Sequence, residues 1–426
     1  MAAARRGEAG ETGEAGSKGD AGAGDSGSSS VGGEGGTAGA GDEAGAGGEA
    51  GATEPPYEFP LSLNPQGVVV VGAAPATSAH FLVGASDYVA GKGEIVSVTL
   101  GSGTVGASTT YDDSDLLATS SAGIGFAIER TNDKVHRLNG GNIGTTFDLK
   151  DPGTDTAPVS NKAYVPLLNQ SLIAILDLTQ GKVSRRIDLN KYNAKGDSDH
   201  SAEIAEGVYD PAHKIVYFLL QRIDLKSYDA DYHLPCSTSP GLIVGISTET
   251  DKVVDLNGAA KGEAIELELV NQRSLSINDD GSTLYLLAEG CYEGTQKTHR
   301  GVEVVDLTEG TSTVAYSATG SDSLGSYYLS SMILTGGEDA LIESYHDDDY
   351  KTHWTKLKLA AGTLGAELAN VPDAVSFDGT DLLGVQVTGS TGKVVRYKLA
   401  TETSTVISAT SWAGDYSAAS STALVQ

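Results

Sequence analysis

Apolar and polar positions alternate along this chain in short runs, and the runs come in pairs. The segment EIVSVTLGSGTVGAS, from Glu94, reads as strand, polar turn, strand. The same arrangement returns as SLIAILDLTQGKVSRRIDL from Ser171, GLIVGISTETDKVVDL from Gly241, GVEVVDLTEGTSTVAYS from Gly301 and KVVRYKLATETSTVISA from Lys393. A second kind of hairpin accompanies these, as in VYDPAHKIVYFLL, SINDDGSTLYLLA, ILTGGEDALIESY and SFDGTDLLGVQV. Its turns carry Asp, Gly or Pro, which supply the positive or preset φ of a tight connection. Helical periodicity is nearly absent after residue 56.

Joining each inner hairpin to an outer one gives four-stranded units with a period of roughly 40 residues or more, the mark of a β-propeller. The chain is therefore expected to be all-β, with about seven blades. The first is expected to use strands near residues 68–71, 80–85, 94–100 and 104–109. The others are expected over residues 115–149, 157–189, 202–256, 273–318, 327–368 and 374–409. The tail after residue 410 is expected to add a strand to the first blade and close the ring, since closure removes exposed edges. This propeller domain occupies residues 56–426, and residues 1–55 read as a disordered linker. From residue 7 to 54 that linker is almost wholly Gly, Ala, Glu, Ser, Asp and Thr, too poor in apolar surface to offset its ordering entropy.

Charge narrows the function. With 57 acidic against 28 basic residues the net charge is −29, which argues against nucleic acid and anionic lipid as partners. No apolar run is long enough for a transmembrane helix. The opening MAAARRGEAG has no apolar signal core and no lipobox Cys, although the linker has the composition of the leaders that follow a lipid anchor. Cys236 and Cys291 fall in the same loop of adjacent blades, so a disulfide is expected, in keeping with export.

In a blade whose first strand starts at one rim, the second strand ends there. The second-to-third-strand loop and the inter-blade loop therefore share a face, here called the upper rim. The insertions at residues 190–203, 222–241, 289–301 and 345–354 fall in those loops, where a rigid scaffold usually carries its binding residues. The same register brings Asp87, Tyr88, Glu129, Arg130, Asn169, His200, Arg222, Arg273, Glu289, Tyr327, Tyr345 and His346 to that rim. The ligand-binding candidates are Arg130, Arg222, Arg273, Tyr88, Tyr327, Tyr345, His346 and His200, with the three arginines converging at the channel mouth. Arginine presents a planar fork to anionic oxygens and stacks on rings, so such a set suits a flat, anionic, aromatic ligand. The competing reading pairs each arginine with a rim carboxylate such as Glu129 or Glu289. The metal-like cluster is His346 with Asp347, Asp348, Asp349 and His353, and of these His346, Asp348 and His353 are the candidate ligands. Asp197, Asp199 and His200 form a lesser one. No catalytic motif occurs, and no resident cofactor is implied.

The stretch HFLVGASDYVAGKGEIVSVTL, residues 80–100, resembles the first blade of MxcI-like siderophore-binding β-propeller lipoproteins associated with TonB-dependent receptors. Ser86-Asp87 at the strand end, the Gly-containing turn and GEIVSV carry the resemblance. The Gly/Ala/Glu leader also looks like theirs, but the absent lipobox departs from the family. The resemblance implies a non-enzymatic, exported protein of the cell surface or outer membrane. It would capture an iron–siderophore and pass it to a TonB-dependent outer-membrane receptor. Two alternatives stand beside it. A surface protein-interaction scaffold would present an apolar patch over the inserted loops, and a metal-dependent lactonase-like hydrolase would gather carboxylates in the channel.

Overall fold

The structure is a computed structural model that describes residues 62–72, 79–229, 233–236, 239–258, 263–318, 324, 327–336, 339–346, 351–388, 391–411 and 418–425. The expected linker, residues 1–55, lies outside these. The described chain forms seven antiparallel blades, each with a path of four strands. A short extra strand, Ile265–Glu266, pairs onto Leu242–Ser247 of blade four.

Period-two alternation builds the ring. Both faces of each blade are covered, so successive side chains of one strand serve different neighbours. In His80–Asp87, Phe81, Val83 and Ala85 pack against Leu383 and Val385 of blade seven, while Leu82 packs toward Leu116 and Ala127 of blade two. In Ile215–Leu220, Val216 and Phe218 face blade three, and Tyr217 and Leu219 face blade five. Double coverage is why these strands read as almost continuous apolar runs. An apolar layer of this kind lies between every pair of consecutive blades.

The inner strands are also latched to one another. Ser421 of blade one accepts the Ala118 amide of blade two at 2.7 Å. Ser121 of blade two accepts the Val70 amide of blade three at 2.9 Å. Ser274 of blade five accepts the Met332 amide of blade six at 3.1 Å. At the junction of blades four and five the latch is a carboxylate, with Glu206 accepting the Leu275 amide at 2.7 Å.

The tail closes the ring as expected. Ala418–Val425 is the inner strand of blade one, with Leu424 opposite Phe81. The N-terminal strand corrects the expected layout. Val69–Val70 lies in blade three, not blade one, with Val69 opposite Tyr164 and Val70 opposite Ala163. The physical reason is twofold. The chain from Lys162 to Asp188 supplies only three strands for that blade. The segment before Val69 is also pinned there, since the Leu63 amide donates to Asp133 at 2.6 Å and the Asn169 amide group donates to the Ser62 carbonyl at 3.0 Å. The first and last described strands thus complete blades begun elsewhere in the sequence.

A candidate functional site on the upper rim

The upper rim is most elaborate over blades four to six. Blade five carries a hairpin, Cys291–Glu293 with Gln296–Thr298, between its second and third strands. Gly290, at φ +82°, lets the hairpin turn upward, because a Cβ there would lie 2.1 Å from the Thr298 carbonyl oxygen. The Cys236–Cys291 disulfide ties this hairpin to the long loop of blade four, as expected from the sequence. The Tyr292 amide donates to the Leu234 carbonyl at 2.8 Å beside it. A small apolar cluster of Ile223, Leu234, Val270 and Cys291, joined by Leu225 and Tyr228, lies under the bridge. The insertion is therefore a packed structure with its own core.

On this platform sits an array of rings and cations. The His233 ring stacks on Tyr292 with centroids 3.9 Å apart. The Lys297 ammonium lies 3.2 Å from the centroid of Tyr328 and 5.6 Å from that of Tyr292. Burial, then a hydrogen bond with Tyr328, pushes the Tyr292 phenol well above its usual range, so it remains protonated. Glu289 holds two cations, with Arg273 Nε at 2.8 Å and Lys297 Nζ at 3.6 Å. One step around the rim, Tyr327 stacks on His346 with centroids 3.2 Å apart, and His346 stacks on His353 at 3.7 Å. Glu367 takes the far end of that stack, 2.7 Å from His353 Nδ1. Arg300, fully buried, donates to the Tyr327 carbonyl and fixes the base of the stack. The result is an aromatic ledge with embedded positive charge, in which the rings and Lys297 engage one another.

Strand direction places Arg130, Arg222 and Arg273 on the expected face, in blades two, four and five. No described contact joins the three. Arg130 pairs with Asp115, Arg222 donates to the Pro240 carbonyl at 3.1 Å, and Arg273 pairs with Glu289. Glu129, a possible arginine partner, instead binds His136 at 2.9 Å. Tyr88 stands on blade one, 53% exposed, and His200 is exposed on the loop between blades three and four. Tyr327 and His346 come together, and Tyr345 lies beside them, opposite Tyr328 in the blade-six register.

His346 and His353 meet as parallel rings, 12° apart. Imidazole lone pairs lie in the ring plane, so rings stacked in this way do not converge on one ion. Asp347, Asp348 and Asp349 lie outside the described residues. The participants not singled out from sequence are Lys297, Tyr292, Tyr328 and His233. One signal for two of them was present: around the turn of CYEGTQKT, Tyr292 and Lys297 are directly opposed across the hairpin.

Two concave volumes, about 590 Å³ and about 420 Å³, lie along the innermost strands and toward the opposite rim. Their walls carry Thr119, Ser120, Ser121, Ser376 and Thr422, and the larger one also carries Glu206. Among the described residues, no helix is long and apolar enough to cross a membrane.

These features define a seven-bladed β-propeller with a built ledge over three blades. No family model and no curated protein matches the chain. Solved propeller structures do. An ACO/RPE65 chimera is 12% identical with a TM-score of 0.50, over 84% of this chain and 94% of that one. A Lactobacillus plantarum protein is 11% identical with a TM-score of 0.45, over 82% and 100% of the two chains. TolB from Acinetobacter baumannii is 9% identical with a TM-score of 0.44, over 83% and 67%. At these identities the likeness is one of fold alone.

Proposed function

We propose that this is a non-enzymatic, exported binding propeller whose upper-rim ledge captures a flat, anionic, aromatic ligand. Ferric catecholate siderophores are the class that fits this chemistry, and a TonB-dependent outer-membrane receptor is the recipient implied by the first-blade resemblance. The observation that carries the reading is the array of Tyr292, Lys297 and Tyr328 beside the Tyr327–His346–His353 stack. The rings supply stacking area for a catecholate where the ligand displaces His233 from Tyr292 or Lys297 from Tyr328. Lys297 and Arg273 give local positive charge in a chain of net charge −29, whose long-range repulsion salt screens beyond about 8–10 Å. Glu289 already takes part of that positive charge, so the ligand competes with it for the two cations.

The test is tyrosine fluorescence quenching on titration with a ferric catecholate complex, with iron-free catecholate as control. Saturable quenching at micromolar ligand is expected. Tyr328→Ala and Lys297→Ala should each weaken it about tenfold, the scale of one lost stacking or cation–π contact. Absence of binding at micromolar ligand rejects the reading. Equal binding by both variants moves the site off the ledge.

A further inference from the structure

A second constellation lies on the same rim between blades three and four. The loop DSDHSAE brings carboxylates at Asp197 and Asp199 together with Asp224 of the long blade-four loop. One oxygen from each lies within 4.8 Å of the others, and Asp197 and Asp199 are buried. Local donors hold one side of each group. The Ser201 amide donates to Asp197 at 3.1 Å and to Asp199 at 3.0 Å, the Leu225 amide donates to Asp199 at 2.6 Å, and the Ser198 hydroxyl donates to Asp224 at 2.7 Å. None of the described ion pairs includes these carboxylates. The two nearby cations are engaged elsewhere, Lys226 Nζ on the Ser198 carbonyl at 3.1 Å and Arg222 on the Pro240 carbonyl.

Hydrogen bonds among acidic residues do not by themselves make a site. The independent observation is Glu203. Its side chain is 0% exposed, at a backbone φ of +43°, and neither carboxylate oxygen accepts a hydrogen bond. The Ser201 hydroxyl and the Ile223 amide lie beside it outside bonding geometry, and its charge faces Asp199 and Asp197. Leaving a carboxylate buried with neither a donor nor a countercharge is costly.

We propose that Asp197, Asp199 and Asp224 bind one hard divalent cation of the calcium class, with the buried Glu203 carboxylate as a further negative charge beside it, and that the ion fastens the inter-blade loop to the root of the long blade-four loop. The ligand set is all oxygen and carboxylate-rich, with neither thiolate nor imidazole in the cluster, which favours calcium over zinc or copper. The clip would act at the base of the loop that carries His233 and Cys236. It stands on its own residues and does not require the ligand reading above.

The experiment uses the full chain, stripped with EDTA and dialysed free of it, then titrated with calcium by calorimetry and followed by thermal unfolding. One site per chain is expected, with a Tm rise of about 5 °C at saturating calcium. Terbium luminescence offers a second readout of the same site. Asp199→Asn and Glu203→Gln should each weaken binding at least tenfold and remove the Tm shift. No heat and no Tm change with calcium, magnesium or manganese overturns the proposal. So does weak, multi-site binding that survives in both variants, the behaviour of a merely acidic surface.

Discussion

Blade one and the blade-four/five sector solve the same connection differently. In blade one the second strand, ending at Asp87, turns into the third at Lys92. The Asp87 carboxylate accepts the Val89 amide at 3.0 Å and the Ala90 amide at 2.9 Å, which makes the turn, and Tyr88 and Val89 project into solvent. In blade four the same connection runs from Leu220 to Leu242, and in blade five it becomes a hairpin. There the side chains bind each other, through a disulfide, an apolar cluster, shared ion pairs and stacked rings. A short turn needs one polar cap. A long loop must offset far more conformational entropy, and what this chain spends on that ordering also assembles the ledge.

The largest expected effect breaks this comparison at its strongest point. The Cys236–Cys291 bridge spans a sequence separation of 55. Replacing both cysteines with serine should cost about 4 kcal/mol on the chain-entropy account, read by denaturant unfolding under matched conditions. Hydrogen exchange should rise at residues 233–236 and 291–298 while blade one stays protected. An unchanged midpoint would show that the apolar cluster alone holds the platform.

A second contrast concerns the inner strands. Three described junctions use a serine hydroxyl as the latch, whereas Glu206 uses a carboxylate at the junction of blades four and five. Glu206 touches the channel but is enclosed by protein, and burial pushes its carboxyl up to about 7, partly offset by the Leu275 amide. The sign follows from proton binding. Between the ordinary carboxylate range and pH 7 the folded state holds more protons than the unfolded one, so stability falls as pH rises through that window. Glu206→Gln keeps the acceptor oxygen and removes the charge. It should leave stability unchanged near pH 4 and raise it by about 2 kcal/mol at pH 8, compared by denaturant midpoints at the two pH values. A uniform shift at both pH values would mean that packing, not charge, sets this junction apart.

These contrasts were unevenly legible in the sequence. Hairpin spacing located blades two and four to seven to within a few residues, because each is local in sequence. The destination of Val69–Val70 was not legible, since an apolar run fits any inner position and the choice rests on Asp133 and Asn169, each more than 60 residues away. The cysteine pairing was legible from loop equivalence. The partners of the arginines were legible in part: Glu289 was an expected partner and holds Arg273, whereas Arg130 takes Asp115 and Arg222 takes the Pro240 carbonyl, neither of which the sequence singled out. The meeting of Asp224 with Asp197 and Asp199 depends on two separate loops.

The smallest expected effects test the plain side of the comparison. Asp87→Ala removes the cap of the blade-one turn and should cost about 1 kcal/mol, the usual worth of a side-chain oxygen that satisfies otherwise unpaired amides. Val89→Ser should stay within about 0.5 kcal/mol of the parent, because the side chain is fully exposed and packs against nothing. Neither change should alter ledge binding, since blades one and five belong to different sectors of the ring. Paired denaturation and quenching titrations separate the two effects. If Asp87→Ala weakens ligand binding as strongly as Lys297→Ala, then the Ser86-Asp87 stretch is part of the recognition surface. The contrast between a merely capped turn and a built platform would then fail, and the first-blade resemblance would mark a binding element and not scaffold alone.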